Sequence, residues 1–235
     1  MKVAVINFSG NVGKSTLAAH LLLPRMPGAK IISVESLNLD ARQDGVDVEQ
    51  ARGKQFLKLI NEVMLRASVI VDVGASNAED FMRGMKIAEG SHEEFDYFVV
   101  PSVASKKQLG DTLGTIEALS VLGVPSRKIR VLLNKVEDAD ELLSDFAAIF
   151  RFAENGKAFV ANALAAVAAN EVFDRIKGAG MSLAEVRNDQ TPWREMVHTA
   201  SSEADRNHAL AMLAIKRLSG SACKNLDSAY EALFA

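Results

Sequence analysis

The chain has 235 residues, 49% of them apolar, and a formal charge of −3. That is enough apolar side chain to bury a sizeable core, and too little positive charge for a globally basic nucleic-acid binder, so a DNA contact would need a local patch, an oligomer or a partner. Cys223 is the one cysteine, which excludes an intrachain disulfide and a thiolate metal cluster within one chain and fits a reducing cytosol.

Met1 leads directly into an apolar run, Val3–Ile6, with no targeting extension, and no apolar run is long enough to cross a bilayer. Further runs follow at Lys30–Val34, Ala67–Val73, Asp96–Val100 and Lys128–Leu133, with a weaker sixth at Ala158–Ala161. Several are uninterrupted Val, Ile and Leu, the pattern of strands covered on both faces. Between them, Ser15–Leu23, Asp47–Arg66, Ala78–Gly90, Ser105–Leu122 and Asp138–Phe152 have helical spacing. This alternation predicts an α/β fold, a mostly parallel twisted sheet flanked by helices. After about Asn162 the texture changes. Ala163–Gly178, Ser182–Asn188 and Thr199–Leu218 read as helices, with a short terminal helix at Asn225–Leu233. The expected organisation is therefore an α/β domain over 1–162 and a helical extension over 163–235 packed on it. Two apolar stripes are expected in the extension: Phe173, Ile176, Leu183 and Val186, then Leu210, Leu213, Ile215 and Leu218. Trp193 is expected to pack within it.

The first strand runs into F-S-G-N-V-G-K-S-T, residues 8–16. A glycine-containing turn followed by Lys-Ser/Thr opening a helix is the phosphate-loop pattern. Gly10 and Gly13 let successive N–H groups point inward as an anion nest, and the helix start adds its positive dipole end. Lys14 is the cation for the β- and γ-phosphates, and Ser15 offers a hydroxyl to Mg²⁺. Ser9, Gly10, Asn11, Val12, Gly13, Lys14, Ser15 and Thr16 together form the candidate nucleotide-binding segment. The general spacing G-x-x-x-x-G-K-[ST] requires glycine where this chain has Phe8. In A-S-V-I-V-D-V-G, Asp72 closes a buried strand and is the candidate to hold Mg²⁺ through water. Lys106, Lys107, Arg127, Lys128 and Arg130 form two small basic spots, the usual character of solvated surface. His92, His198 and His208 show no metal-ligand spacing with one another.

The loop resembles that of the deviant Walker-A ATPases of the ParA/MinD superfamily, K-G-G-x-G-K-[ST]. Gly10, Gly13, Lys14 and Ser15 match it. Ser9 stands at the signature lysine, which in that family crosses a dimer interface, and Asn11 at the second glycine. The resemblance implies a P-loop fold, ATP and Mg²⁺ as cofactors, and a nucleotide-dependent homodimer, on which the missing lysine bears directly. Asp72 resembles the family's strand-D-x-[PG] motif. The family's D-x-D after the second strand aligns Glu35 with the first acid but Leu37 with the second. Asp40, three residues further on, is the candidate substitute for orienting the attacking water. Asn134, in L-L-N-K-V-E-D, falls at the adenine-contacting position, and Lys135 beside it is a further candidate cofactor-binding residue. The same run is similar to the guanine-reading N-K-x-D, with Glu137 in place of its aspartate. The tail resembles that of StbB-like plasmid-stability proteins, ATPases paired with a small DNA-binding adaptor. The implied function is a cytoplasmic ATPase in plasmid partition or stability with slow or partner-stimulated hydrolysis, DNA contact being indirect or weak and non-specific. The alternatives are a nucleotide-gated scaffold with little turnover and a phosphotransferase of the dethiobiotin-synthetase kind.

Overall fold

The computed structural model describes residues 1–34, 48–156 and 158–235, with 48–54 by backbone alone. Among the described residues six strands form one sheet in the order β2-β3-β1-β4-β5-β6: β1 (Lys2–Val5), β2 (Ile31–Ser33), β3 (Val69–Asp72), β4 (Tyr97–Ser102), β5 (Ile129–Val136) and β6 (Val160–Ala168). Every pairing is parallel. The expected α/β class holds.

The four central strands, β3, β1, β4 and β5, are buried on both faces, and their residues alternate between two cores. Ala4, Val69, Val71, Phe98, Val100, Val131 and Leu133 face one core, completed by α2 (Val48–Met64), α3 (Ala78–Ile87), α4 (Lys106–Val121) and α6 (Ala147–Gly156). Val3, Val5, Ile70, Val99 and Leu132 face the other. The first core holds a chain of rings, Phe56, Phe81, Phe95 and Phe98, with successive centroids 5.5, 6.1 and 5.1 Å apart. A Cβ on Gly84 would collide with the Phe56 ring, so this glycine sets how closely α3 approaches α2. Between β5 and α6 lies the one-turn α5 (Leu142–Asp145).

The second core is covered by the helix after β1 and by the tail. That helix opens as α1 (Lys14–Leu17), widens to a π-helical stretch over Ala18–Leu22, and closes in a 3₁₀ turn, Leu23–Arg25. Pro24 has no N–H to continue an i→i−4 ladder. The Arg25 guanidinium instead donates to the carbonyls of His20 and Leu21 at 3.0 and 2.9 Å, and also to Asp227 at 2.6 Å. This arginine thereby ties the end of the first helix to the tail.

The tail departs from the expected elements at two places. Residues 163–168, expected to begin a helix, belong to β6, and α7 starts only at Val172 and ends at Gly178. The alanine-rich run favours helix intrinsically. Pairing overrides that preference: Leu133 and Asn134 of β5 lie opposite Ala166 and Val167, and the Asn225 amide clamps the other side. Its Oδ1 accepts from Ala168 N–H at 2.8 Å, and its Nδ2 donates to the Ala166 carbonyl at 3.0 Å. The two expected terminal helices are a single one, α10 (Glu203–Phe234). Its buried stripe is Ala209, Met212, Ile215, Ser219, Ala222, Leu226, Ala229 and Leu233; Leu210, assigned to the apolar stripe from sequence, is 46% exposed. The continuous stripe carries α10 past Gly220, whose cost of about 1 kcal/mol is small beside that burial. Phe234 packs on Tyr97 with ring centroids 4.8 Å apart, so the tail docks on its own sheet. Among the described residues no helix is long and apolar enough to cross a membrane.

Two short helices complete the tail, α8 (Leu183–Asn188), opened by a Ser182–Glu185 capping box, and α9 (Trp193–Thr199). Asp189 joins them. It accepts from Thr191 N–H at 2.9 Å, from the Thr191 hydroxyl at 2.5 Å and from Trp193 Nε1–H. These donors, the Thr191 hydroxyl foremost, hold its carboxyl well below the usual carboxylate range, at about 2.

Two outcomes are expected. The Asp189 contribution is complete above the ordinary carboxylate pKa of about 4 and is lost as pH falls through about 2. Emission from Trp193, the one tryptophan, should therefore change as pH falls towards 2, measured in a His208→Phe background because the His208 ring lies 5.4 Å from the indole. Asp189→Ala should give altered emission already at neutral pH. Asn225→Ala, which strips both clamping bonds, should lower stability by about 1–2 kcal/mol in urea denaturation.

Candidate nucleotide-binding site

β1 delivers the chain to the C-terminal edge of the sheet, at the point where strand order reverses between β3 and β4. Crevices of this kind are the ligand sites of open α/β sheets. Ile6 N–H still bonds the Val99 carbonyl at 3.0 Å, and the chain then leaves the sheet. Asn7 is fully buried, and its Oδ1 accepts from Ser9 N–H at 2.7 Å, which turns the chain into the loop. Asn11 and Gly13 adopt left-handed backbone, with φ of 59° and 87°. Gly13 then caps α1, and Leu17 N–H returns to its carbonyl at 2.9 Å.

The loop wraps its own lysine. Lys14 is only 8% exposed, and its Nζ donates to the carbonyls of Ser9 and Asn7 at 2.7 and 3.2 Å. These bonds hold the ammonium within the loop beside the opening of α1. The first N–H groups of that helix have no partner inside it. An ammonium, left-handed turns and a helix start in one bend suit an anion. Ser15 is exposed and Thr16 half-buried. Ser9 is 5% exposed, enclosed by its own loop.

Asp72 is buried at the end of β3, in register with Val5 of β1 and Ser33 of β2. It therefore sits on the same edge as the loop. A hydroxyl at Ser15 and a carboxylate at Asp72 are the oxygen donors a hard cation takes when phosphates supply the rest. Among the described residues no group of three His, Cys, Asp or Glu side chains is placed to hold a metal. Glu35 and Asp40 lie outside the described residues.

Asn134 meets the loop directly. At the end of β5 the pairing with β6 shifts register, and Lys135 takes φ 57°. This irregularity accompanies an Asn134 side chain that reaches out of the sheet to the loop, where its Nδ2 donates to the Val12 carbonyl at 2.8 Å. A Cβ on Gly13 would collide with that same nitrogen. Glycine is thus demanded twice at position 13, by backbone sign and by space.

A cavity of about 430 Å³ opens beside this contact. Asn11, Gly13 and Thr16 form its loop wall, and Asn134, Lys135 and Glu137 its β5 wall. The third wall is Asn170, Glu171, Phe173 and Asp174, from the turn after β6 and from α7. Glu171 is steadied by Arg175 at 2.8 Å. This end carries three carboxylates, Glu137, Glu171 and Asp174, beside Lys135, groups that can accept from or donate to hydroxyls and amines. The third wall was hidden in the sequence because that stretch reads as continuous helix; Asn170, an Asx-turn residue ahead of an apolar helix, is the signal that could have marked it. A larger cavity of about 610 Å³ lies in the tail among Met181, Trp193, His208, Met212 and Ile215. It contains none of the loop residues, and its lining is mostly apolar, with Arg175, Asp189 and His208 the charged or titratable members.

A parallel sheet whose first strand runs into a glycine–lysine loop capping a helix defines the P-loop class of nucleotide-binding folds. No protein-family model matches this sequence, and no curated protein sequence matches it. Solved structures share the fold. A Cyanothece McdA variant in complex with ATP is 14% identical, with 93% of this chain and 96% of that chain covered and a TM-score of 0.52. Apo McdA is 16% identical over 90% and 98%, with a TM-score of 0.51. Aquifex aeolicus MinD, in its complex with MinC, is 14% identical over 93% and 95%, with a TM-score of 0.52. The chain therefore has a ParA/MinD-like P-loop fold.

Gly13→Ala should cost roughly 1–3 kcal/mol, since it combines left-handed strain with the collision. Adding Asn134→Ala removes the collision together with the bond to the Val12 carbonyl and leaves the left-handed strain. In urea denaturation the double variant should be less destabilised than the sum of the two single variants.

Proposed function

We propose that this chain is a ParA/MinD-type nucleotide switch that binds Mg·ATP and acts in plasmid partition or stability. The observation that carries the reading is the closed phosphate loop around Lys14, clasped by Asn134 and opening on a nucleoside-sized cavity. The loop and Lys14 bind the β- and γ-phosphates, and Ser15 and Asp72 hold Mg²⁺, Asp72 through water. Bound Mg²⁺ supplies charge neutralisation between the β- and γ-phosphates. Asn134 orients the base, and Lys135 and Glu137 line its pocket. Glu35 and Asp40 are the candidate groups for orienting the attacking water. Since that role is worth about 10²–10⁵ in rate, an incomplete acid pair gives slow hydrolysis that a partner accelerates. The partner in this reading is a small DNA-binding adaptor in the cytoplasm, with DNA contact indirect or weak and salt-sensitive. The support for a plasmid role is the resemblance of the tail to StbB-like proteins.

Ser9 favours a second reading, a nucleotide-gated scaffold with little turnover. A short, buried side chain here offers no cation to a neighbouring subunit, so a nucleotide-dependent homodimer would have to form without that contact.

Calorimetry with Mg·ATP should show binding to wild type and a loss of at least tenfold in Lys14→Ala; equal affinity in the two proteins counts against the site. Steady-state phosphate release, with and without DNA and the adaptor, separates the two readings. A rise on adding the partner supports the switch, and none in any condition supports the scaffold.

A further inference from the structure

One face of α4 is bonded to the phosphate loop. Gln108, Thr112 and Thr115, spaced i, i+4 and i+7, point the same way. Thr115 Oγ1 accepts from Phe8 N–H at 3.0 Å. Thr112 Oγ1 accepts from Asn7 Nδ2 at 2.9 Å. Gln108 Nε2 donates to the Gly10 carbonyl at 3.2 Å. Both threonines and Asn7 are fully buried.

The bonding fixes every orientation. Each threonine hydroxyl spends its proton within the helix, Thr112 on the Gln108 carbonyl and Thr115 on the Asp111 carbonyl, both at 2.7 Å. Their lone pairs are therefore the part turned to the loop. Asn7 Nδ2 also donates to the Pro101 carbonyl at 2.8 Å, leaving its Oδ1 to receive Ser9 N–H. The carbonyls of Asn7 and Ser9 in turn hold the Lys14 ammonium. A continuous chain of bonds thus runs from α4 through Asn7 to Lys14. It consumes the N–H groups of Phe8 and Ser9 inside the protein, so the part of the loop left to face an anion begins at Gly10.

We propose that Asn7, Thr112 and Thr115, with Gln108 at the rim, are positioning residues of the nucleotide site. The hydroxyl face of α4 holds the entry of the loop in shape where Phe8 and Ser9 replace the expected glycine and lysine. This rests on the nucleotide reading above. It adds that loop geometry, and so phosphate affinity, depends on a helix that need not touch the nucleotide.

The test compares Thr112→Val and Thr115→Val with Thr112→Ser and Thr115→Ser. Valine keeps the shape and removes the acceptor, whereas serine keeps the acceptor and removes the methyl. A packing role harms the serine variants more; positioning harms the valine variants. Mg·ATP affinity by calorimetry should fall roughly 5- to 100-fold in each valine variant and stay within a few fold of wild type in each serine variant. Amide exchange at Phe8 and Ser9 in the nucleotide-free protein should quicken with valine alone. Should the valine variants not fold, Gln108→Ala decides, with an expected loss of affinity of roughly 2- to 5-fold, on the order of one hydrogen bond. Unchanged exchange and affinity in the valine variants, or in Gln108→Ala when those do not fold, overturns the proposal, as does greater damage from serine than from valine. A wild type that binds no ATP overturns the nucleotide reading instead, and the exchange measurement still decides whether α4 shapes the loop.

Discussion

The hydrogen bond from Asn134 to the Val12 carbonyl holds together two parts of the chain that are 122 residues apart. It joins the loop after β1 to the end of β5, and the cavity beside it exists because both are there. Gly13 must lack a side chain for this bond to form. The sheet irregularity at Lys135 lies beside it. The order β3-β1-β4-β5 leaves β4 between the two partners, so the contact is made above the sheet edge, between the loop and a side chain that leaves its strand. The site is therefore assembled by sheet order as much as by the loop.

Burial of Lys14 has a related consequence. An ammonium taken out of water needs hydrogen bonds in return. The carbonyls of Asn7 and Ser9 supply two, and Asn7 is itself fixed by β4 and α4. The loop is thus shaped in advance by interior contacts, and a phosphate chain entering it would find the cation in place. Such preorganisation lowers the ordering cost of binding. It also explains why Phe8 is tolerated: its N–H is already satisfied by Thr115, and its side chain packs on the first core.

The tail is part of the sheet domain's own structure. Arg25 meets Asp227, Tyr97 meets Phe234, and Asn225 clamps β6. Because β6 and α7 form one wall of the cavity, α10 reaches the site through the elements it supports. The Glu171–Arg175 pair makes the same connection at close range, since Glu171 lines the loop-side cavity and Arg175 the tail cavity.

The amino-acid sequence alone determined the sheet and the loop. Buried parallel strands are uninterrupted apolar runs, and a phosphate loop is a local pattern of glycines, lysine and hydroxyl, so both are written in neighbouring residues. It did not determine how far β6 runs past Ala161, the unbroken α10, the Asn170–Asp174 wall or the contacts of α4 with the loop. The run from Ala161 to Ala169 favours helix by itself and becomes strand because β5 and Asn225 satisfy its backbone. The break expected near Gly220 is absent because a stripe buried on both sides of it outweighs one weak helix former. Thr112 and Thr115 look like ordinary helix residues until Asn7 and Phe8 are brought against them from across the sheet. Such features depend on partners far away along the chain, and only the tertiary structure decides which partners meet.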